Sequence, residues 1–193
     1  MIRPTLIVMA KAPRLGHGKQ RLAADIGALE ALRINRALHA HTMREARDPR
    51  WRTLLCVTPD SAIHARVDVW PAGVARCGQG AGDLGERMAR ALSPLRRVAM
   101  IGADCPGLRR AHIAQAFRVL RQSRFVLGPS EDGGFWLLAA RSGLEAARAM
   151  RDVRWSSAHT AADVIANLPE RPLMLPLLYD IDTAADLARW TQG

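Results

Sequence analysis

Lysine is almost missing from this chain. Of its 28 basic residues, 26 are arginine, and only Lys11 and Lys19 are lysine. Aromatic residues make up 5%, with one tyrosine and three phenylalanines. So few rings give little on which nucleobases could stack in a row. The formal charge of +10 and a pI near 11.2 call for anionic partners. The basic residues are scattered, however, and read mostly as solvated helix faces in an arginine- and alanine-rich composition. Nucleic acid is therefore not the expected partner, although a non-catalytic nucleic-acid-binding module stays as the alternative of another class. The three cysteines, Cys56, Cys77 and Cys105, form no C-x-x-C pair and leave an odd number. That usage fits a reduced, cytoplasmic protein. His39 and His41 stand two apart, on different sides of a helix, which argues against zinc. No apolar run has the length of a membrane span, and the N-terminus lacks a signal peptide's charged, apolar and cleavage regions.

Strand and helix patterns alternate along the sequence. Thr5–Ala10, Thr53–Thr58, Arg97–Gly102, Phe125–Gly128 and Phe135–Ala139 read as strands, with a weak strand before Gly78 and another near 173–178. One long helix is expected from Ala23 to Arg47, and others over Asp83–Leu95, Arg110–Gln122, 143–151, 157–168 and 183–191. This order predicts an α/β fold, a mostly parallel sheet between two helix layers, formed by residues 1–193 as a single domain. Ligands of such sheets bind beyond the carboxyl ends of the strands. Four polar loops follow strand ends, at 11–21, 78–87, 103–107 and 129–134.

The first loop, "KAPRLGHGKQRL", collects both lysines with Arg14 and Arg21 around Pro13 and two glycines. Loop amides, a helix start and several cations suit phosphate oxygens. A Walker loop would need glycine where Pro13 stands and serine or threonine where Gln20 stands. The second loop, "GQGAGDLGERM", spells Gly80-x-Gly82-x-x-Gly85 before a helix, with Asp104 about twenty residues on. That is a dinucleotide fingerprint, and an NAD(P)-binding Rossmann enzyme is a further alternative. Against it, Asp83 puts a negative charge where pyrophosphate would lie, and the strand before the loop is short.

In "GADCPG", Asp104 ends a buried strand on the ligand side. It suits a turn cap, and equally a hard oxygen ligand for Mg²⁺ or Mn²⁺. "PSEDGG" sets Glu131 and Asp132 before Gly133 and Gly134. A hairpin explains those residues, and one of the acids could instead orient an acceptor or act as a base. In "YDIDTAADL", Asp180 and Asp182 alternate about Ile181. Asp182 suits a helix cap, or a position facing Asp104 across a shared metal.

Six pieces in order, "MAKAPRLGHGKQRL", "QGAGDLGERM", "IGADCPGL", "LGPSEDGGFWLL", "VRWSS" and "LYDIDTAADL", resemble the GT-A-fold, nucleotide-dependent transferases over essentially the whole chain. The nearest resemblance is to bacterial glycosyltransferase-like proteins of the arsenosugar-biosynthesis-associated type. The guanylyltransferases of molybdenum cofactor and of phospholactate, and the sugar-nucleotide cytidylyltransferases, are more distant. The resemblance implies a three-layer α/β/α sandwich with a mixed sheet. It implies that Lys11, Lys19 and Arg21 hold nucleotide phosphates on the Pro13 loop. Gln79, Asp83 and Arg87 would flank base and ribose beside Gly85. Asp104 would bind the metal, Mg²⁺ or Mn²⁺, with Asp182 as the second acid. Asp132 would face a small-molecule acceptor, and Lys19, Arg21 and Asp132 would be catalytic. The implied activity is transfer from a nucleotide or nucleotide-sugar donor: glycosyl transfer first, nucleotidyl transfer with pyrophosphate release as the alternative. Gln20 replaces the family's usual threonine, and Phe135-Trp136 its usual tyrosine pair.

Overall fold

The computed structural model describes residues 3–192. One of its interior strands is β1 (Thr5–Lys11), whose apolar run is buried on both sides, as interior parallel strands require. It lies parallel to β2 (Arg52–Thr58) and to β4 (Arg96–Ile101), with Thr5 opposite Arg52 on one side and Val98 on the other. The short β3 (Ala75–Gly78) extends the sheet beyond β2, also parallel. Beyond β4 the direction changes. β6 (Phe135–Ser142) runs antiparallel to β4 and to β5 (Phe125–Pro129), and the two-residue β7 (Leu173–Met174) is parallel to β5. The order is therefore β3-β2-β1-β4-β6-β5-β7, the expected mostly parallel, mixed sheet.

Side chains alternate across β1, so Leu6 and Val8 enter one core and Ile7 the other. The first core is closed by Met43 and Ala46 of α2 (Ala28–Ala46) and by Ile113 and Phe117 of α4 (Arg110–Val119). The second is closed by Leu92 of α3 (Leu84–Leu92), Ala146 of α5 (Gly143–Arg148) and Val164 of α6 (Thr160–Asn167). The result is the three-layer sandwich. No helix among the described residues is long and apolar enough to cross a membrane.

Two expectations need correction. The long helix predicted from Ala23 to Arg47 is two helices, α1 (Gln20–Ile26) and α2, because Gly27 at φ +87° turns the chain between them. The break lets α1 fold under α7 (Ala184–Gln192) around a third small core of Leu22, Ala31, Leu38 and Ile181. The strand expected over 173–178 pairs regularly only at Leu173–Met174. Pro176 lacks the N–H a ladder needs, so the regular pairing is interrupted there. Leu178 still pairs beside β5, bridging to Ser130 with its N–H donating to Pro129 O at 3.2 Å, and the chain then crosses the carboxyl ends of the strands, where Ile181 N donates to Asp104 O at 3.3 Å.

Candidate active site at the carboxyl rim

Three strand ends and that crossing segment meet above β1 and β4. β1 delivers Lys11, and the loop after it delivers Gly18 and Lys19. β4 delivers Asp104, the β5–β6 loop delivers Asp132, and the crossing segment delivers Asp180 and Asp182. All line one cavity of about 460 Å³. Its other side is apolar, with Met9, Met88, Met100, Phe135 and Trp155.

Asp104 does not cap. The N-cap of α4 is Arg109, and the Asp104 carboxylate instead accepts from Lys19 Nζ at 3.0 Å. Gly102 leaves it room, since a Cβ there would lie 2.9 Å from Asp104 Oδ1. Asp182 also escapes the capping role. The start of α7 is served by Asp186, whose Oδ2 accepts from the backbone N–H of Asp182 and Thr183 and from the Thr183 hydroxyl. The Asp182 carboxylate is left to accept from Lys19 Nζ at 2.8 Å. Ile181 is fully buried and its N–H is tied to Asp104, which fixes Asp180 and Asp182 on either side of it.

Lys19 therefore sits between two carboxylates, its side chain only 7% exposed. Burial alone would lower its pKa, but the charges of Asp104 and Asp182 and the bonds to them outweigh this and raise it. Burial likewise pushes Asp104 up, and the Lys19 ammonium overrides it and holds the acid below its ordinary value. Asp180 has no ion-pair partner among the described residues. Burial, then repulsion from Asp104, Asp132 and Asp182, raises its carboxyl to about 7. One oxygen from each of Asp104, Asp180 and Asp182 lies within 4.8 Å of the others. Three hard oxygen donors facing a single ammonium leave surplus negative charge, and this donor set fits Mg²⁺ or Mn²⁺.

His39 and Asn35 of α2 complete the polar wall. His39 is 4% exposed and stacks on Trp70, whose indole N–H donates to Nδ1 at 3.0 Å. Burial lowers its pKa to about 4, so the ring is neutral with its proton on Nε2. Of the adjacent acids in "PSEDGG", Glu131 is occupied by Arg189 through bonds of 2.7 and 3.0 Å. Asp132 faces the cavity, with Oδ1 accepting from the Ser130 hydroxyl and the Gly134 N–H.

Other sequence-derived candidates lie elsewhere. Pro13 is buried, whereas Arg14 and Arg21 are exposed; none of the three lines the cavity. Gln79, Asp83, Gly85 and Arg87 are absent from its wall too, and each has a structural task. Gln79 is buried and donates to the Ala10 and Cys56 carbonyls, tying β1 to β2. Asp83 caps α3 in a reciprocal pair with Glu86. A Cβ on Gly85 would lie 2.5 Å from the Trp155 indole nitrogen. Arg87 donates to the Gly82 carbonyl at 2.8 Å. The dinucleotide reading fails here. Its loop follows the edge strand β3, and at the start of α3, where pyrophosphate would bind, the Asp83 carboxylate takes the Glu86 amide and Glu86 takes that of Asp83. Sequence reasoning missed Asp180, Asn35, His39 and Trp155 as cavity residues. For Asp180 a signal existed, its two-residue spacing from Asp182 across a buried isoleucine.

The chain belongs to the bacterial family described as "Uncharacterized protein conserved in bacteria (DUF2064)", whose model matches residues 42–157. No curated protein matches its sequence. Its fold is similar to that of a candidate nucleotide-diphospho-sugar transferase from Desulfovibrio desulfuricans G20. The TM-score is 0.83 and identity 23%, over 95% of this chain and 84% of the other. It is similar, at 0.64 and 9% identity, to 4-diphosphocytidyl-2C-methyl-D-erythritol synthase from Anaerococcus prevotii DSM 20548, over 98% and 95% of the two chains. At 0.56 and 16% identity it is similar to Rv0371C of Mycobacterium tuberculosis H37Rv in complex with manganese, over 100% and 99%.

Proposed function

We propose that this DUF2064 protein is a Mg²⁺- or Mn²⁺-dependent transferase that takes a nucleotide or nucleotide-sugar donor and a small-molecule acceptor. The observation that carries the reading is the convergence of Lys19 with Asp104, Asp180 and Asp182 in one cavity at the carboxyl rim. The likeness in fold to a nucleotide-diphospho-sugar transferase supports it, and glycosyl transfer is the first reading. The likeness to a diphosphocytidyl synthase favours nucleotidyl transfer as the second.

Asp104, Asp180 and Asp182 would hold the metal, which supplies positive charge for a departing phosphate. Lys11 and Lys19 bind phosphate oxygens from the loop side. Asn35 and the neutral His39 offer uncharged hydrogen bonds on the same wall. Asp132 holds its place through Ser130 and Gly134, and its Oδ2 is open to take the proton of an acceptor hydroxyl. Arg21 would need a change in the loop to join them, because it points into solvent. In glycosyl transfer the leaving group is a nucleoside diphosphate; in nucleotidyl transfer it is pyrophosphate.

Calorimetry with GTP, CTP, UDP-sugars and GDP-sugars, without metal and with Mg²⁺ or Mn²⁺, tests the reading, followed by phosphorus NMR of the species released. Metal-dependent binding of one of these donors is expected. Absence of binding by every donor with either metal refutes it.

A further inference from the structure

Lys19 carries two duties that conflict. Its ammonium is bonded to Asp104 Oδ2 at 3.0 Å and Asp182 Oδ1 at 2.8 Å. Those are two of the three carboxylates clustered within 4.8 Å. Mg²⁺ draws ligand oxygens to about 2.0–2.1 Å and retains several waters, so an ammonium filling the same gap competes with such an ion. The backbone maintains the competition. Lys19 holds φ +47°, ψ +42°, a left-handed conformation uncommon for a residue with a side chain, directly before the first turn of α1. With that placement the side chain is buried against the acids instead of lying along α1 in solvent, where its neighbours Gln20 and Arg21 lie.

We propose that Lys19 is a resident counter-ion for the acidic cluster. It must leave Asp104 and Asp182 before both can serve a divalent ion, and its ammonium then becomes available to the donor's phosphates. This rests on the metal reading above and adds an order to it. The consequence is linkage: metal frees the lysine that the anion needs, and the anion holds the lysine away from the acids. Each raises the other's affinity by the same factor. An empty site also keeps its carboxylates neutralised without recruiting a metal alone.

The composition makes the test clean. Lys11 and Lys19 are the only lysines, and Lys11 is exposed while the Lys19 side chain is nearly inaccessible. The wild-type protein is acylated briefly with an amine-reactive ester, and both sites are quantified by peptide mass spectrometry. Mn²⁺ occupancy is followed from the electron spin resonance of the free ion. Without metal, Lys19 should react far more slowly than Lys11. At saturating Mn²⁺ its labelling relative to Lys11 should rise about tenfold, within the usual range of coupling between sites. Lys19→Met should bind Mn²⁺ roughly tenfold tighter than wild type, and Lys19→Arg, which keeps the charge, should not. Lys19 labelling that stays flat or falls while Mn²⁺ is bound overturns the proposal, as does equal Mn²⁺ affinity in wild type and Lys19→Met. Both results leave the metal reading standing. Failure of all three proteins to bind Mn²⁺ overturns the metal reading and this inference with it.

Discussion

The chain has two glycine-bearing loops that each lead from a strand into a helix, residues 11–21 and 78–87, and they behave oppositely. The second matches a known nucleotide fingerprint letter for letter, yet its polar groups are already satisfied. Asp83 and Glu86 cap each other's turn, Arg90 is bonded to the carbonyls of Gln79 and Ala81, and Arg87 to that of Gly82. The first matches no fingerprint, and its lysine points at two acids brought from 85 and 163 residues away in sequence. A loop whose donors and acceptors are spent on itself braces the sheet edge. A loop whose charge is answered only by a distant cluster builds a site. Where the polar groups are spent separates the two better than spacing does.

Substitution can sharpen that contrast. The largest effect on ligand binding is expected at the rim. Asp104→Asn or Asp182→Asn should each weaken Mn²⁺ binding at least tenfold, and up to about a hundredfold, the range seen even for groups that only support metal ligands. Equilibrium dialysis measures it, and the fold should persist by circular dichroism. In the second loop, Gly85→Ala should cost about 3 kcal/mol in denaturant unfolding, the upper end for overpacking. Its Cβ would meet the Trp155 indole at 2.5 Å and the Met150 carbonyl at 2.9 Å.

A pH effect belongs to the cavity side. His39 is held neutral, its pKa lowered to about 4 by burial, so the unfolded chain binds the extra proton below the ordinary value. Its contribution to stability is complete above about pH 6.5 and is lost as pH falls towards 4, by about 2 kcal/mol at pH 5. His39→Gln should flatten the acid limb of the stability profile by that amount; an unchanged slope would show that His39 is not buried as a neutral ring. The smallest effect is at the cap. Asp83→Ala should cost about 1 kcal/mol of stability and leave donor affinity unaltered.

Much of this was legible in the sequence because buried strands carry continuous apolar runs. β1, β2, β4, β5 and β6 lie within a few residues of their expected positions, and the rule that ligands gather at carboxyl ends pointed to Lys19, Asp104, Asp132 and Asp182. The apolar spacing continues across Gly27 and so does not mark the split, which the +87° φ makes. The stretch over 173–178 reads as one strand because prolines among leucines still look apolar, whereas Pro176 interrupts its pairing and the chain crosses the rim after Leu178. Its departure from the sheet is what carries Asp180 to the cavity. His39 and Trp155 reach the cavity through packing between elements far apart in the chain, which no local pattern encodes.

The central claim is that the carboxyl rim binds nucleotide through a metal. Its most direct test is calorimetric titration of wild-type protein with the donor panel in Mn²⁺ and again in excess chelator. One donor is expected to bind in Mn²⁺ and at least about tenfold more weakly in chelator, the 1.4 kcal/mol that a lost metal bridge should exceed. Equal affinity under both conditions would contradict it.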